Sequence, residues 1–209
     1  NADGLQSNFA SLDREEDWRT ATLELVRKYD SASRERPYFK RLRNHLEIAF
    51  PGEDGLADLV IPLLRLDSHP LIEKANVFIL YRQWPSQRSN LIKVAQAIGA
   101  EAIEYCNGQR GGPLSQALDY FRSDLLAQFY RDCRQRVPFA GLKTLTELSQ
   151  GIPRNFLTIL KYIYRRSYFA NEAPFAGGTI SVNAQSNGVR DSSAWFWEDA
   201  QPDGHGDEV

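Results

Sequence analysis

The amino-acid sequence predicts an all-α fold, a helical bundle of two packed helical subdomains with little or no sheet. Three observations carry this prediction. Apolar residues recur at three- and four-residue spacing along most of the 209-residue chain. Helix punctuation, with proline or a small polar residue before each apolar stripe and glycine or a turn sequence after it, falls at the ends of those stripes. Hydrophobic residues make up 42% and charged residues 25%, ordinary globular usage in a chain long enough to bury a core.

The elements follow in order. Ser11 is a suitable N-cap, Arg14 to Asp17 puts acid into a first turn, and Trp18, Ala21, Thr22, Leu25, Val26 and Tyr29 define a helix over about 12–30. Tyr38, Leu42, His45, Leu46 and Ala49 define a second over about 37–50, ended by Pro51-Gly52. Asp54 is placed to cap a third segment, Leu56 to Leu66. Pro62 inside it implies a kinked helix or two short pieces, with a strand over 58–64 as the disfavoured alternative. Pro70 opens a fourth helix that runs to Trp84. Asn90 to Ile98 forms a short fifth, Gly108 to Pro113 a loop, and Ser115 to about Arg136 a long sixth with cations at its C-terminal end. Leu142, Leu145 and Leu148 mark a short helix stopped by Gly151. Pro153 opens a longer one through Tyr168. After a loop and an extended Thr179–Ser181, Ser181 caps a last helix to about Asp199, whose weak point is Gly188.

This pattern gives a helical subdomain over 3–136, a second over 137–200, and a disordered acidic tail over 201–209. Asn1-Ala2, without an initiator methionine, reads as a tag remnant on a cut fragment, whose missing motifs would lie upstream.

The composition excludes several function classes. A net charge of −2 creates no global field for nucleic acid or acidic membranes. No apolar run approaches the roughly 18–20 residues that span a bilayer, and no signal peptide is present. Cys106 and Cys133 fit no metal spacing and read as small buried or half-buried residues in a reducing compartment. His45, His69 and His205 form no pair four residues apart, so the helix of a zinc hydrolase is excluded. There is no GxxxxGK[ST] phosphate loop, no GxGxxG and no GxSxG.

Three stretches carry chemistry. Arg34 to Arg43 is locally basic with two aromatics, and Arg36, Lys40, Arg41 and Arg43 are candidates for a nucleic-acid or partner surface. A solvated helix face is the plainer reading. Trp195 and Trp197 cannot share one helix face, so one of them is a candidate to meet a neighbouring subdomain or a partner; packing within the fold is the plainer reading. Most informative is the junction at 145–160. Pro153 opens a helix with Arg154 in its first turn, where a cation is electrostatically disfavoured. An anion bound by Pro153, Arg154 and Asn155 at that terminus would resolve the conflict; an exposed arginine that tolerates a small penalty is the alternative.

The run Glu147-Leu-Ser-Gln-Gly-Ile-Pro-Arg-Asn-Phe-Leu resembles the S-x-G-x-P-R signature in the helical lid of AAA+ ATPases, notably the Orc/Cdc6-like group and its bacterial relatives. The flanking Ile72 to Arg82, Ser123 to Ala127, Ile180-Ser-Val and Trp195 to Asp199 are similar to uncharacterised bacterial members. The resemblance implies that Arg154 is the sensor-2 residue, reaching from the lid to the γ-phosphate of ATP on an upstream nucleotide-binding domain. It implies no cofactor in this stretch itself, and ATP with magnesium in the parent protein. The expected function is therefore the regulatory, partner-binding lid of a cytoplasmic AAA+ ATPase, non-catalytic alone, with its upstream domain as partner, protein or DNA as further candidate partners, and no membrane. The alternative is a helical DNA-binding or protein-interaction module, for which the helix pair at 137–170 resembles a helix-turn-helix.

Overall fold

A computed structural model describes residues 9–86 and 90–200. The tag reading of Asn1-Ala2, the tail 201–209 and His205 lie outside the described residues. Among the described residues the fold is all-α: nine α-helices, two short 3-10 turns and one isolated bridge, with no sheet. The helices are α1 Glu15–Asp30, α2 Pro37–Ala49, α3 Leu56–Leu64, α4 Pro70–Gln83, α5 Leu91–Cys106, α6 Gly112–Asp132, α7 Leu142–Leu148, α8 Pro153–Phe169 and α9 Val182–Asp199. They fall into two compact units. One comprises Trp18–Val137, and among the described residues the other joins 9–17 with 138–200. The residues before Trp18 thus go with the C-terminal helices, which a single boundary near 137 does not provide for.

The Trp18–Val137 unit is organised around α4. Ten of its residues, from Pro70 to Leu80, are buried, on every face of the helix. A helix buried on all sides sits at the centre of a core. It packs against α2, α3, α5 and α6. Pro62 lies within a continuous α3, so the strand alternative is overturned. The N-cap of α3 is Gly55 at φ 85°, not Asp54, and no side chain caps it. Helix α3 lies against α5 where Gly99 meets Leu63: a Cβ on Gly99 would stand 2.1 Å from the Leu63 carbonyl oxygen. Helix α5 runs past the expected Ile98 to Cys106, its buried stripe continuing through Ala102. The loop at 108–111 leads into α6, whose Leu114 amide donates to the Glu101 carboxylate at 2.7 Å. A carboxylate of the chain's own therefore occupies the anion position at this glycine-rich turn.

Charge is buried in this unit as paired groups. Arg36, only 4% exposed, donates to Asp30 at 2.7 and 3.1 Å and to Glu73 at 2.7 Å. Glu73 also accepts from the Tyr38 hydroxyl and, at 2.7 Å, from the Leu66 amide. Asp132 accepts from Lys74 at 2.8 Å and pairs with Arg41 at 2.6 Å. Ionised groups remain in a core only with partners of this kind.

The second unit is built on α8 and α9, with Leu145 of α7 inserted beside them in the core. Ser181 caps α9 as the sequence predicts, accepting from the Ala184 amide at 3.1 Å. The first helix of the chain begins at Glu15 rather than near 12, so Ser11 is not its cap. The freed segment pairs instead with the stretch before α9: Phe9 bridges Ile180, and the Ala10 amide donates to the Ile180 carbonyl at 3.0 Å. Gln185, wholly buried, laces this corner. Its Oε1 accepts from the Gly141 amide at 2.8 Å, and its Nε2 donates to the carbonyls of Ala10 at 2.8 Å and Ile180 at 2.9 Å.

Candidate functional site

Helix α7 ends at Ser149, whose buried hydroxyl donates to the Thr146 carbonyl at 2.7 Å. The chain then reverses through two left-handed residues, Gln150 at φ 53° and Gly151 at φ 71°. Glycine adopts that region freely, and its place after a helix is the usual stop. Ile152 is the N-cap of α8 in extended conformation, and Pro153 is the first helical residue. Proline suits this position because it has no N–H to leave unpaired. The Ile152 side chain offers no acceptor, and the first turn contains no acid. The positive end of the α8 dipole is thus left without a counter-charge from its own helix.

Arg154 occupies this turn. It is exposed, and among the described residues its guanidinium has no hydrogen-bond or ion-pair partner. Only its carbonyl is engaged, by the Thr158 hydroxyl at 2.9 Å. Asn155 beside it is half-buried. Two apolar side chains flank the turn in the open, Leu148 at 40% and Ile152 at 47% exposure. The three residues named from the sequence are therefore together at one uncapped helix terminus, anchored below by Leu145, Ile159 and Ile163. The arrangement suits an anion brought from outside the chain. Among the described residues no group of three or more His, Cys, Asp and Glu side chains could hold a metal ion.

The basic stretch disperses. Arg36 is not a surface residue, because it is consumed by Asp30 and Glu73 in the core. Burial alone would weaken its charge, but those two carboxylates more than offset it, and its pKa rises. Arg41 is half-exposed and paired with Asp132. Arg43 bridges Glu35 at 2.9 Å and Asp58 at 2.7 Å, which hold it firmly protonated. Lys40 is exposed and has no ion-pair partner among the described residues, on a cleft it shares with Lys28, Arg34 and Arg134. The tryptophans part as their spacing requires. Trp195 is half-buried, its ring edge-on to Phe196 at 5.2 Å, and Trp197 is 72% exposed. Cys133 is buried as expected, but Cys106 is exposed.

Sequence reasoning missed the outer face of α8 beyond Arg154. Its signal was present in the composition: the 17 residues of α8 contain no acid.

A family model described as ORC-CDC6-like matches residues 6–209. No curated protein and no solved structure matches.

Proposed function

The chain belongs to the ORC-CDC6-like family, and from that premise we propose that it is the regulatory lid of an AAA+ ATPase, with Arg154 reading the nucleotide held by an upstream domain. The observation that carries this reading is the first turn of α8: an exposed arginine without a partner among the described residues, on a helix terminus that lacks a cap and an acid. A terminal phosphate supplies the missing negative charge. It accepts from the backbone amides of the turn and pairs with the guanidinium. The chain's own residues do not hold magnesium in this reading; the ion belongs with the upstream domain.

Arg154 acts by coupling. With the terminal phosphate present, the Pro153–Asn155 turn is drawn toward the nucleotide, and α8 carries that displacement into α9 through their shared core. With the phosphate released, the attraction is gone and the turn returns to solvent. Leu148 and Ile152 are placed to lie against the nucleotide-binding domain in the drawn state, covering apolar surface that is open without it.

The test is Arg154→Ala in the protein that carries this chain together with its upstream domain. Loss of a charged hydrogen bond predicts about a 10-fold or larger fall in ATP affinity or turnover. Unchanged turnover and affinity would remove the sensor role.

A further inference from the structure

We propose that the outer face of α8 from Leu157 to Phe169 docks an acidic amphipathic helix of a protein partner. Opposite the buried Ile159 and Ile163, α8 turns outward a row in which large apolar side chains alternate with cations. Leu157, Tyr168 and Phe169 are 65%, 66% and 70% exposed, and Lys161 and Arg165 are exposed among them. Phe175, 80% exposed, extends the row from the loop after α8 by stacking on Tyr164 at 5.0 Å and 15°. The Arg165 guanidinium lies 5.9 Å from the Phe169 ring centre, so cation and ring form one surface.

A solvated helix face carries charge of both signs; this one carries a single sign and exposed rings. Clustered exposed aromatics beside arginine are the composition of an interface anchor. The charge identifies the partner. Helix α8 has four cations and no acid, in a chain whose net charge is −2. The nearby acids are engaged internally: Asp191 with Arg166 at 2.5 Å, and Glu172 with the Ser181 amide at 3.1 Å. Lys161 and Arg165 have no such partner among the described residues. The apolar component favours protein over nucleic acid. A phosphodiester strand recognises cations, and most of this face is hydrocarbon and ring, which only another apolar surface covers. A 17-residue helix is about 25 Å long, so a partner helix of about five turns can lie along it.

The experiment uses the full chain and a fluorescein-labelled peptide of about 18 residues, helical, with leucine and phenylalanine on one face flanked by glutamate. Binding is read by fluorescence anisotropy. The wild-type chain is expected to bind it, more weakly as salt rises. Phe169→Ala, and separately the pair Lys161→Glu with Arg165→Glu, should each lose about 10-fold. The charge-reversed pair should gain binding to the same peptide with lysine in place of glutamate. Tyr120→Ala, an equally exposed aromatic of the other unit at 80%, should change nothing. All these positions are exposed, so circular dichroism and thermal melting should stay as in wild type. Equal binding of the lysine and glutamate peptides by wild type overturns the proposal, as does binding of neither. A single-stranded oligothymidine that binds this face where the acidic peptide does not overturns it in favour of nucleic acid.

Discussion

Gly188 of α9 lies directly against the backbone of Ile163 in α8. A Cβ built on Gly188 would stand 2.6 Å from both the Ile163 Cα and its amide nitrogen. Backbone atoms in mid-helix cannot move aside as a flexible side chain can. Gly188→Ala is therefore expected to lose about 2 kcal/mol despite its gain of roughly 1 kcal/mol in helix propensity. Urea denaturation followed through the unit's tryptophans measures it. A stabilised variant would show that the two helices are free to separate.

Arg36→Ala removes the cation from a carboxylate that is wholly buried, Glu73. Burial pushes the Glu73 carboxyl above its ordinary range, and Arg36 is the chief opposing influence. Stripping one partner from a buried pair costs about 3–5 kcal/mol. Replacing both at once, Arg36→Met with Glu73→Leu, should recover much of that loss. Equilibrium unfolding of the two variants decides it: equal losses would mean the pair has no special coupling.

The Arg166–Asp191 pair ties α8 to α9 and gives an acid-sensitive contribution. Hydrogen bonds from Arg166 hold the Asp191 carboxyl below its ordinary 3.8. A depressed carboxyl stabilises the fold above the unfolded pKa and loses that contribution as pH falls through the folded one. The stability gap between wild type and Asp191→Asn should accordingly stay constant above about pH 5 and close below about pH 4. Denaturation midpoints across that range measure it; a gap that widens in acid would contradict the pairing.

The two thiols should react very differently. Burial raises the Cys133 thiol to about 11, and it is wholly inaccessible, while Cys106 is exposed. Thiolate, not thiol, is the nucleophile. In the folded chain at neutral pH a disulfide reagent should titrate one equivalent quickly, with the second appearing only on unfolding. Fast loss of both thiols would place Cys133 at the surface.

What was legible in the sequence was local. Ser181, Pro153 and Pro70 act within a turn of their own positions, so their helices start where the sequence predicts. The turn carrying Arg154 is legible for the same reason. Arg36 was not. The run from Arg34 to Arg43 reads as a basic surface, because Glu73, the acid that pairs with Arg36 in the core, lies 37 positions away. Gly188 reads as a weak helix position, since propensity registers the missing side chain but not the helix that needs its absence. Ser11 looks like a cap because its chemistry is right, yet pairing with Ile180 draws that segment elsewhere. The outer face of α8 is legible as a helix without acids, but the stacking of Phe175 on Tyr164 is not, because the two lie on different elements.

The bond from Gln185 to the Ala10 carbonyl joins residues 175 positions apart. On a ribosome adding about 5–20 residues per second, Phe9 emerges roughly 10–35 seconds before the isoleucine and glutamine that hold it. The Trp18–Val137 unit has its whole core in hand during that wait. The unit carrying Arg154 does not, and it closes only after synthesis has passed α9. Between those moments Phe9 has no Ile180 to pack against, and the growing chain carries it as an unburied aromatic.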